Sequence, residues 1–449
     1  MRSDMKTQIE PLVGADEVVS ELKKHILVDG FEIVLDLERS SGCRIYDAHT
    51  DRSLIDLYSF YASMPIGFNH PYFDRPEVRE DMLEGALLKV SNSDVYTRRY
   101  ARFVRTLDRV VGVPQLDRYF FIEGGALAVE NALKTAMDWK VRKNMAAGRG
   151  EIGTEVLHFR HAFHGRTGYT MSLTNTDPNK VKYYARFDWP RVSSPGLDYS
   201  LPEAERLKKV VAAEKTAEQE IMAAIEARPH RICSIITEPI QCEGGDNHFR
   251  PEWLRILRRI CDENDMLLIF DEVQTGMGMS GKTWCFQHFD VIPDILTFGK
   301  KAQVCGIMVG RRIDEVPENV FKVSSRINST WGGNFTDMVR STHYMNVIES
   351  ERLVDNARAM GERFLQQLQS LQAEESIISA VRGRGLLLAF DLPDTETRNK
   401  FWKGCFELGL LVLRSGERSI RLRPVLDVKA DIMDESVAIM RDQVRRIGR

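Results

Sequence analysis

Between about residues 115 and 310, short apolar runs alternate with longer segments of helical periodicity, and this alternation restricts the possible folds more than any other feature. The runs fall at 118–122, 155–159, 231–237, 266–270, 294–298 and 304–310, each of strand length and bounded by polar or glycine-containing stretches. Between them, 126–144, 201–228 and 252–263 read as helices; in the middle one Leu207, Val210, Val211 and Ile221 recur among many charges, as on a surface helix. Apolar strands joined by helices belong to a mostly parallel sheet covered on both faces. The expected class is therefore α/β, with a large domain over residues 71–334. After Asn334 a helical pattern continues to about residue 372, followed by strand candidates at 385–391, 410–413 and 419–423 and a helix from about Ala430. This predicts a smaller α+β domain over 335–449. Pattern alone leaves open where the short elements of residues 1–70 belong; they are expected to join the smaller domain.

The 449 residues are 43% hydrophobic and 28% charged, enough for a large core and unlike a disordered chain. Lys and Arg total 62 against 65 Asp and Glu, and the resulting charge of −3 provides no field to gather nucleic acid or an anionic membrane. Neither is expected as a partner. The seven cysteines are scattered, odd in number and without a C-x-x-C pair, which disfavours a disulfide framework or zinc knuckle and suggests reduced thiols in the cytoplasm. The N-terminus carries charges where a signal peptide needs an apolar stretch of about 7–15 residues. The most apolar runs fall short of the roughly 18 residues of a spanning helix.

Three segments carry chemistry. Arg118-Tyr-Phe-Phe-Ile-Glu-Gly-Gly-Ala is a strand, a double glycine and a helix start, so Gly124 and Gly125 let unpaired N–H groups face an anion. A tight turn without a ligand fits that segment equally well. Asp271 and Glu272 follow an apolar strand and so sit at its C-terminal end, where ligands of open α/β sheets gather. An acid there serves as a metal ligand, a helix cap or the partner of a protonated ring nitrogen. Lys300 and Lys301 lie just past the strand at 294–298. An anion cradle, a carboxylate and a lysine at one sheet edge are together what pyridoxal phosphate requires: a phosphate site, a pyridinium partner and a Schiff-base amine.

At these residues the chain resembles the class III, or omega, aminotransferases of the fold-type I pyridoxal-phosphate enzymes. The resemblance runs from about Leu27 to Arg446. It is sharpest at 123–134, Phe163-His-Gly-Arg-Thr, Glu238-Pro-Ile-Gln, Asp271-Glu-Val-Gln-Thr-Gly, Phe298-Gly-Lys and Arg421-Leu-Arg-Pro. It implies a seven-stranded, mostly parallel sheet and pyridoxal 5′-phosphate as cofactor, with no metal. Lys300 would be the Schiff-base lysine, with Lys301 its neighbour. Asp271 would keep the ring nitrogen protonated, Gly125 and Ala126 would offer N–H groups to the phosphate, Phe163 would stack on the ring, and Gln274 would reach the hydroxyl side. Ser329 and Thr330 would complete the phosphate site of the other subunit, which implies a homodimer.

Within the family, the stretches Ser91-Asn-Ser-Asp-Val-Tyr, Gln241-Cys-Glu-Gly-Gly-Asp-Asn-His, Lys300-Lys-Ala-Gln-Val-Cys-Gly and Asn328-Ser-Thr-Trp-Gly-Gly-Asn look most like members that move the ε-amine of L-lysine to 2-oxoglutarate. That resemblance implies that Glu243 pairs with Arg421 while lysine is bound and releases it for the α-carboxylate of 2-oxoglutarate. Arg166 would hold the distal carboxylate in both half-reactions, the guanidinium fork matching two oxygens. Two departures concern the substrate pocket: Met279 stands where an Arg is usual, and Pro424-Val-Leu replaces Pro-Pro-Leu. Aminotransferases of 4-aminobutyrate or ornithine remain alternatives, as does a non-catalytic cofactor-binding regulator. His158, His161 and His164 lack a carboxylate partner at ligand spacing and are not expected to bind metal; His164 reads as a loop residue beside Phe163. Trp139, Trp189, Trp253 and Trp331 read as core or interface fillers.

Overall fold

The computed structural model describes residues 10–447, so part of the charged N-terminal stretch lies outside the described residues. Its central sheet has seven strands in the spatial order Arg118–Ile122, Cys305–Val309, Ile295–Phe298, Leu267–Asp271, Ile232–Thr237, Glu155–Phe159 and Arg191–Val192. Cys305–Val309 runs antiparallel to both neighbours, and every other pairing is parallel. The α/β class and the mostly parallel sheet are as expected from the alternation. The strand at the far edge, Arg191–Val192, is too short to leave a periodic signal.

Consecutive residues of one central strand reach opposite cores. Leu267 and Ile269 pack with Val129, Leu133, Ala136 and Trp139 of helix Gly125–Ala146. Leu268 and Phe270 pack with Trp253, Leu254 and Leu257 of helix Pro251–Glu263. Each such side chain contributes about 1.5–3 kcal/mol by leaving water, so both faces are sealed and the C-terminal edge remains for loops that carry function. Trp139 and Trp253 are fully buried, whereas Trp331 is 37% exposed.

Beyond the sheet, the helical pattern expected to run unbroken from Asn334 is two helices, Phe335–Ser350 and Leu353–Glu374. They are broken at Arg352, whose φ is 53°. Apolar spacing carries across the break through Val347, Ile348 and Leu353, so periodicity hides a turn that lays the second helix on the C-terminal sheet. That sheet has the order Ser379–Arg384, Leu387–Asp391, Ser419–Leu422, Leu413–Ser415 and is antiparallel throughout. The expected strand at 410–413 divides. Leu410–Leu411 leaves to pair in parallel with Arg52–Asp56, which with Leu35–Ser41 and Arg44–Asp47 forms a separate four-stranded sheet.

One segment of the N-terminal region matters for the site. Ser59, Phe60, Tyr61 and Ala62 all have positive φ, 39°, 50°, 58° and 64°, a left-handed turn that costs L-residues about 1–2 kcal/mol each. It is held at its N-terminal end. Asp56 Oδ1 accepts the N–H groups of Tyr58 (2.8 Å) and Ser59 (2.7 Å), and the Ser59 hydroxyl donates to Arg423 O at 2.6 Å. Among the described residues no helix is long and apolar enough to cross a membrane, and all seven cysteines are free.

Candidate active site

Five of the motifs converge at the C-terminal edge of the large sheet. After strand Arg118–Ile122 the chain turns at Gly124 (φ 103°) and enters helix Gly125–Ala146 with no side-chain cap. The first helical bond is from Ala128 N–H to Gly124 O (3.0 Å), which leaves the N–H groups of the opening turn, at the positive end of the helix dipole, for an anion. A Cβ on Gly125 would stand 3.1 Å from Val273 of the turn after Asp271, and one on Gly165 (φ 129°) would stand 2.5 Å from the Ala126 Cβ. The Phe163-His-Gly loop and the Asp271 turn therefore both lie against the helix start.

Asp271 ends its strand with a buried carboxylate. Its Oδ2 is 2.8 Å from His164 Nδ1, and its Oδ1 accepts from Thr297 Oγ1 and Val273 N, both at 3.1 Å. His164 is thus the buried partner of Asp271, where sequence reading had only a loop residue. The contact joins positions 107 apart, and no local pattern announces it. Half-buried Phe163 is fixed through its backbone: its N–H donates to Glu238 Oε1 (3.0 Å), while Glu238 Oε2 accepts from Cys242 N (3.1 Å). Burial pushes the Glu238 carboxyl up to about 7. The other two histidines diverge: His158 accepts from Arg191 Nε at 3.0 Å, and His161 is exposed.

The two lysines part company. Lys300 donates to Tyr61 O at 2.9 Å, and burial, followed by the nearby Arg421 charge, lowers its amine to about 8. Lys301 is 2% exposed and donates to Ala62 O and Gln274 O, both at 3.1 Å; burial and then the Lys300 charge bring it to about 7. The left-handed turn thus supplies a carbonyl to each amine. Lys301 is enclosed between backbone oxygens, and Lys300 is the amine left toward the open side.

Around the substrate end, Arg421 is buried on strand Ser419–Leu422 and donates to Gln274 Oε1 at 3.1 Å, while its Nε has no partner. Gln274 Oε1 also accepts from Arg423 Nε (3.3 Å), so this side chain holds arginines in addition to the cofactor contact expected of it. The expected Glu243–Arg421 pair is not formed. Glu243 instead pairs with Lys180 and accepts from Thr176 Oγ1 at 3.1 Å, because the turn Pro178–Lys180 delivers a cation on that side. Lys180 Nζ also lies 5.4 Å from the Phe163 ring centroid. Arg166 is exposed and has no ion pair among the described residues. Lys180 and Thr176 were not singled out by sequence reading. Ser329 and Thr330 lie apart from these groups, on a loop where Ser91 Oγ donates to Thr330 O (2.6 Å), Gly332 N donates to Ser329 Oγ (3.0 Å) and the Thr330 side faces outward.

These residues fit pyridoxal phosphate: an uncapped helix start for the phosphate, a buried carboxylate for the ring nitrogen, an aromatic face and a lysine amine of lowered pKa. A partnerless Arg421 Nε in a buried setting calls for a further acceptor, as a substrate carboxylate would be. Comparison with known proteins agrees. The family model "Aminotransferase class-III" matches residues 28–444. The chain is 49% identical over 429 residues to the L-lysine-epsilon aminotransferase of Mycobacterium tuberculosis, covering 95% of each chain. It is 46% identical to that of Streptomyces clavuligerus, covering 97% of this chain and 95% of the other. A solved structure of lysine aminotransferase from M. tuberculosis in the internal aldimine form superposes with a TM-score of 0.95 at 48% identity, covering 97% of this chain and 100% of that one. The chain belongs to the class III aminotransferases, enzymes that depend on pyridoxal phosphate.

Proposed function

We propose that this chain is a cytoplasmic lysine ε-aminotransferase, moving the ε-amine of L-lysine to 2-oxoglutarate to give 2-aminoadipate 6-semialdehyde, which cyclises on its own α-amine, and L-glutamate. The observation that carries this reading is a buried Arg421 held by a neutral amide oxygen while Glu243 sits within the same site on another cation. The two substrates pose a physical problem. Lysine brings no carboxylate to the carbon that reacts, whereas 2-oxoglutarate brings one directly beside it. A fixed arginine would be an unpaired buried charge in the first case, and a buried charge without a partner is destabilising by several kcal/mol. A carboxylate able to cover Arg421 and to retract from it answers both cases. High similarity to relatives named as lysine ε-aminotransferases supports lysine as donor.

In this reading, bound pyridoxal phosphate supplies an electron sink. Asp271, oriented by His164 and Thr297, holds a proton on the ring nitrogen. Gly125 and Ala126 grip the phosphate through N–H groups, Phe163 covers the ring, and Gln274 bridges the cofactor's hydroxyl side to Arg421. Lys300 would hold the cofactor through its amine and, when free, would carry a proton off the substrate carbon and return it, a role suited to an amine of pKa about 8. Arg166 takes the carboxylate farthest from the reacting carbon in both half-reactions. Thr330, exposed on its loop with Ser329, serves the phosphate site of a second copy, so the working unit is a homodimer.

The test is incubation with pyridoxal phosphate, 2-oxoglutarate and lysine labelled with ¹⁵N at either nitrogen, with the label read in glutamate by mass spectrometry. Label is expected from the ε position alone. Transfer from the α position would reverse the arginine roles, and no transfer would move 4-aminobutyrate and ornithine to the front.

A further inference from the structure

We propose that Lys180 is the second seat of the Glu243 carboxylate: it holds Glu243 away from Arg421 while 2-oxoglutarate is bound, and so sets how well the enzyme takes its amino acceptor. This rests on the reading of Glu243 as a retractable cover for Arg421, and adds the cation that receives it.

The geometry is specific. Glu243 pairs with Lys180 and accepts from Thr176, two groups on one side of it, and has no contact with Arg421. Its backbone is pinned: Ser415 Oγ donates to Cys242 O (2.7 Å), Gly416 N donates to Glu243 O (3.1 Å), and a Cβ on Gly244 would fall 2.0 Å from His161 O. Only the Glu243 side chain is free to move. Lys180 is equally well placed, ending the turn Pro178–Lys180 that Asp177 caps by accepting from Asn179 N–H at Oδ1 (2.9 Å). Burial, and then the Arg166 charge, depress its ammonium, with Arg421 adding to this and Asp177 opposing it, so the lysine sits between two arginines.

Charge pairing explains why two seats are required. Glu243 leaving Arg421 for water alone would exchange a close ion pair for a half-buried lone carboxylate, and that cost would be charged against 2-oxoglutarate binding. With Lys180 present, Glu243 is paired in either position. In the 2-oxoglutarate state its α-carboxylate takes Arg421, its distal carboxylate takes Arg166, and Glu243 takes Lys180. The arrangement described above, with Arg421 on a neutral amide, is this acceptor-ready state.

The test is a double-mutant cycle in the holoenzyme with Lys180→Met, Glu243→Ala and the pair, with Lys180→Arg as the conservative control. 2-Oxoglutarate cannot react with the aldehyde form of the cofactor, so its calorimetric Kd there reads the seats without turnover, and single-turnover traces of both half-reactions give the effect on catalysis. Lys180→Met should weaken 2-oxoglutarate binding about tenfold and slow its half-reaction relative to that of lysine, as fits loss of a partly buried ion pair. Lys180→Arg should restore most of the affinity. In the Glu243→Ala background, removing Lys180 should have no further effect, because nothing is left to seat. A tenfold loss that persists without Glu243 would mean that Lys180 binds the substrate itself and would overturn the proposal, as would unchanged binding in Lys180→Met. A wild-type enzyme that binds no 2-oxoglutarate would sink the amine-acceptor reading, and the seat with it; loss of ε-transfer from lysine alone would leave the cycle readable.

Discussion

Replacing Lys301 with methionine removes a buried amine while keeping most of its volume. In the native protein that amine donates to Ala62 O and Gln274 O, so the variant strands two carbonyls at about 1–3 kcal/mol each. Opposing this, the variant no longer buries a cation. Burial, with Lys300 as the second cause, brings the amine to about 7 from its ordinary 10.5. Between those two pH values the unfolded chain binds one more proton than the folded one, so this group adds about 1.4 kcal/mol of stability for each pH unit of increase. Its full unfavourable effect is present below about 7. From pH 7, where the folded amine is half titrated, to pH 9 the wild type should therefore gain about 2 kcal/mol over Lys301→Met, beyond the constant cost of the two carbonyls. Urea denaturation of both proteins at the two pH values, with the difference taken at each, measures this directly. A wild-type-minus-variant stability difference that stays constant, or falls, between pH 7 and pH 9 would show that the amine remains charged in the folded protein.

Lys300→Ala should lower turnover by about a thousandfold or more and abolish the visible absorbance of bound cofactor; retained turnover would point to Lys301 as the reacting amine. Because the Lys300 amine is lowered to about 8, the rate of cofactor capture by apo-protein should rise with pH to a midpoint near 8, and a midpoint near that of a solvated lysine would refute the burial. Gly165→Ala, with its Cβ 2.5 Å from that of Ala126 at φ 129°, should push the Phe163 loop off the helix start and weaken cofactor binding by about 2–4 kcal/mol, read by equilibrium dialysis. Arg166→Ala should raise KM for lysine and for 2-oxoglutarate by about ten- to a hundredfold, as loss of a charge-assisted pair requires; a change in neither would remove Arg166 from the pocket.

Six of the seven strands of the large sheet were legible because both faces are covered, which forces nearly every residue to be apolar; 118–122 and 155–159 coincide with strands Arg118–Ile122 and Glu155–Phe159. Strand Ser379–Arg384 was missed for the opposite reason: Arg382 sits in it, buried, and donates to Asp391 Oδ1 and Ser419 Oγ, both at 2.9 Å. A charged residue interrupts the apolar signal even when tertiary partners satisfy it. The left-handed run at Ser59–Ala62 contains no glycine or asparagine to announce it, and its support comes from Arg423 across the chain. Site residues were legible where a strand end or a family motif fixes the backbone, as at Asp271, Gly125 and Lys300. Their partners were not. His164 with Asp271, and Lys180 with Glu243, meet only because the sheet order brings separate loops to one edge.

The left-handed turn also bears on how the enzyme is made. Both lysine amines rest on its carbonyls, and the turn itself is fastened by Leu57 N–H to Leu411 O (3.0 Å), Arg423 N–H to Leu57 O (2.8 Å) and the Ser59 hydroxyl to Arg423 O. A nascent chain that has emerged only as far as residue 400 contains every strand of the large sheet but none of these fastenings. Long-range closure of this kind is slow and comes late in folding. Lys300 therefore acquires its setting only once residues 411–423 have docked on the turn, so the cofactor site is completed after the large sheet and not with it.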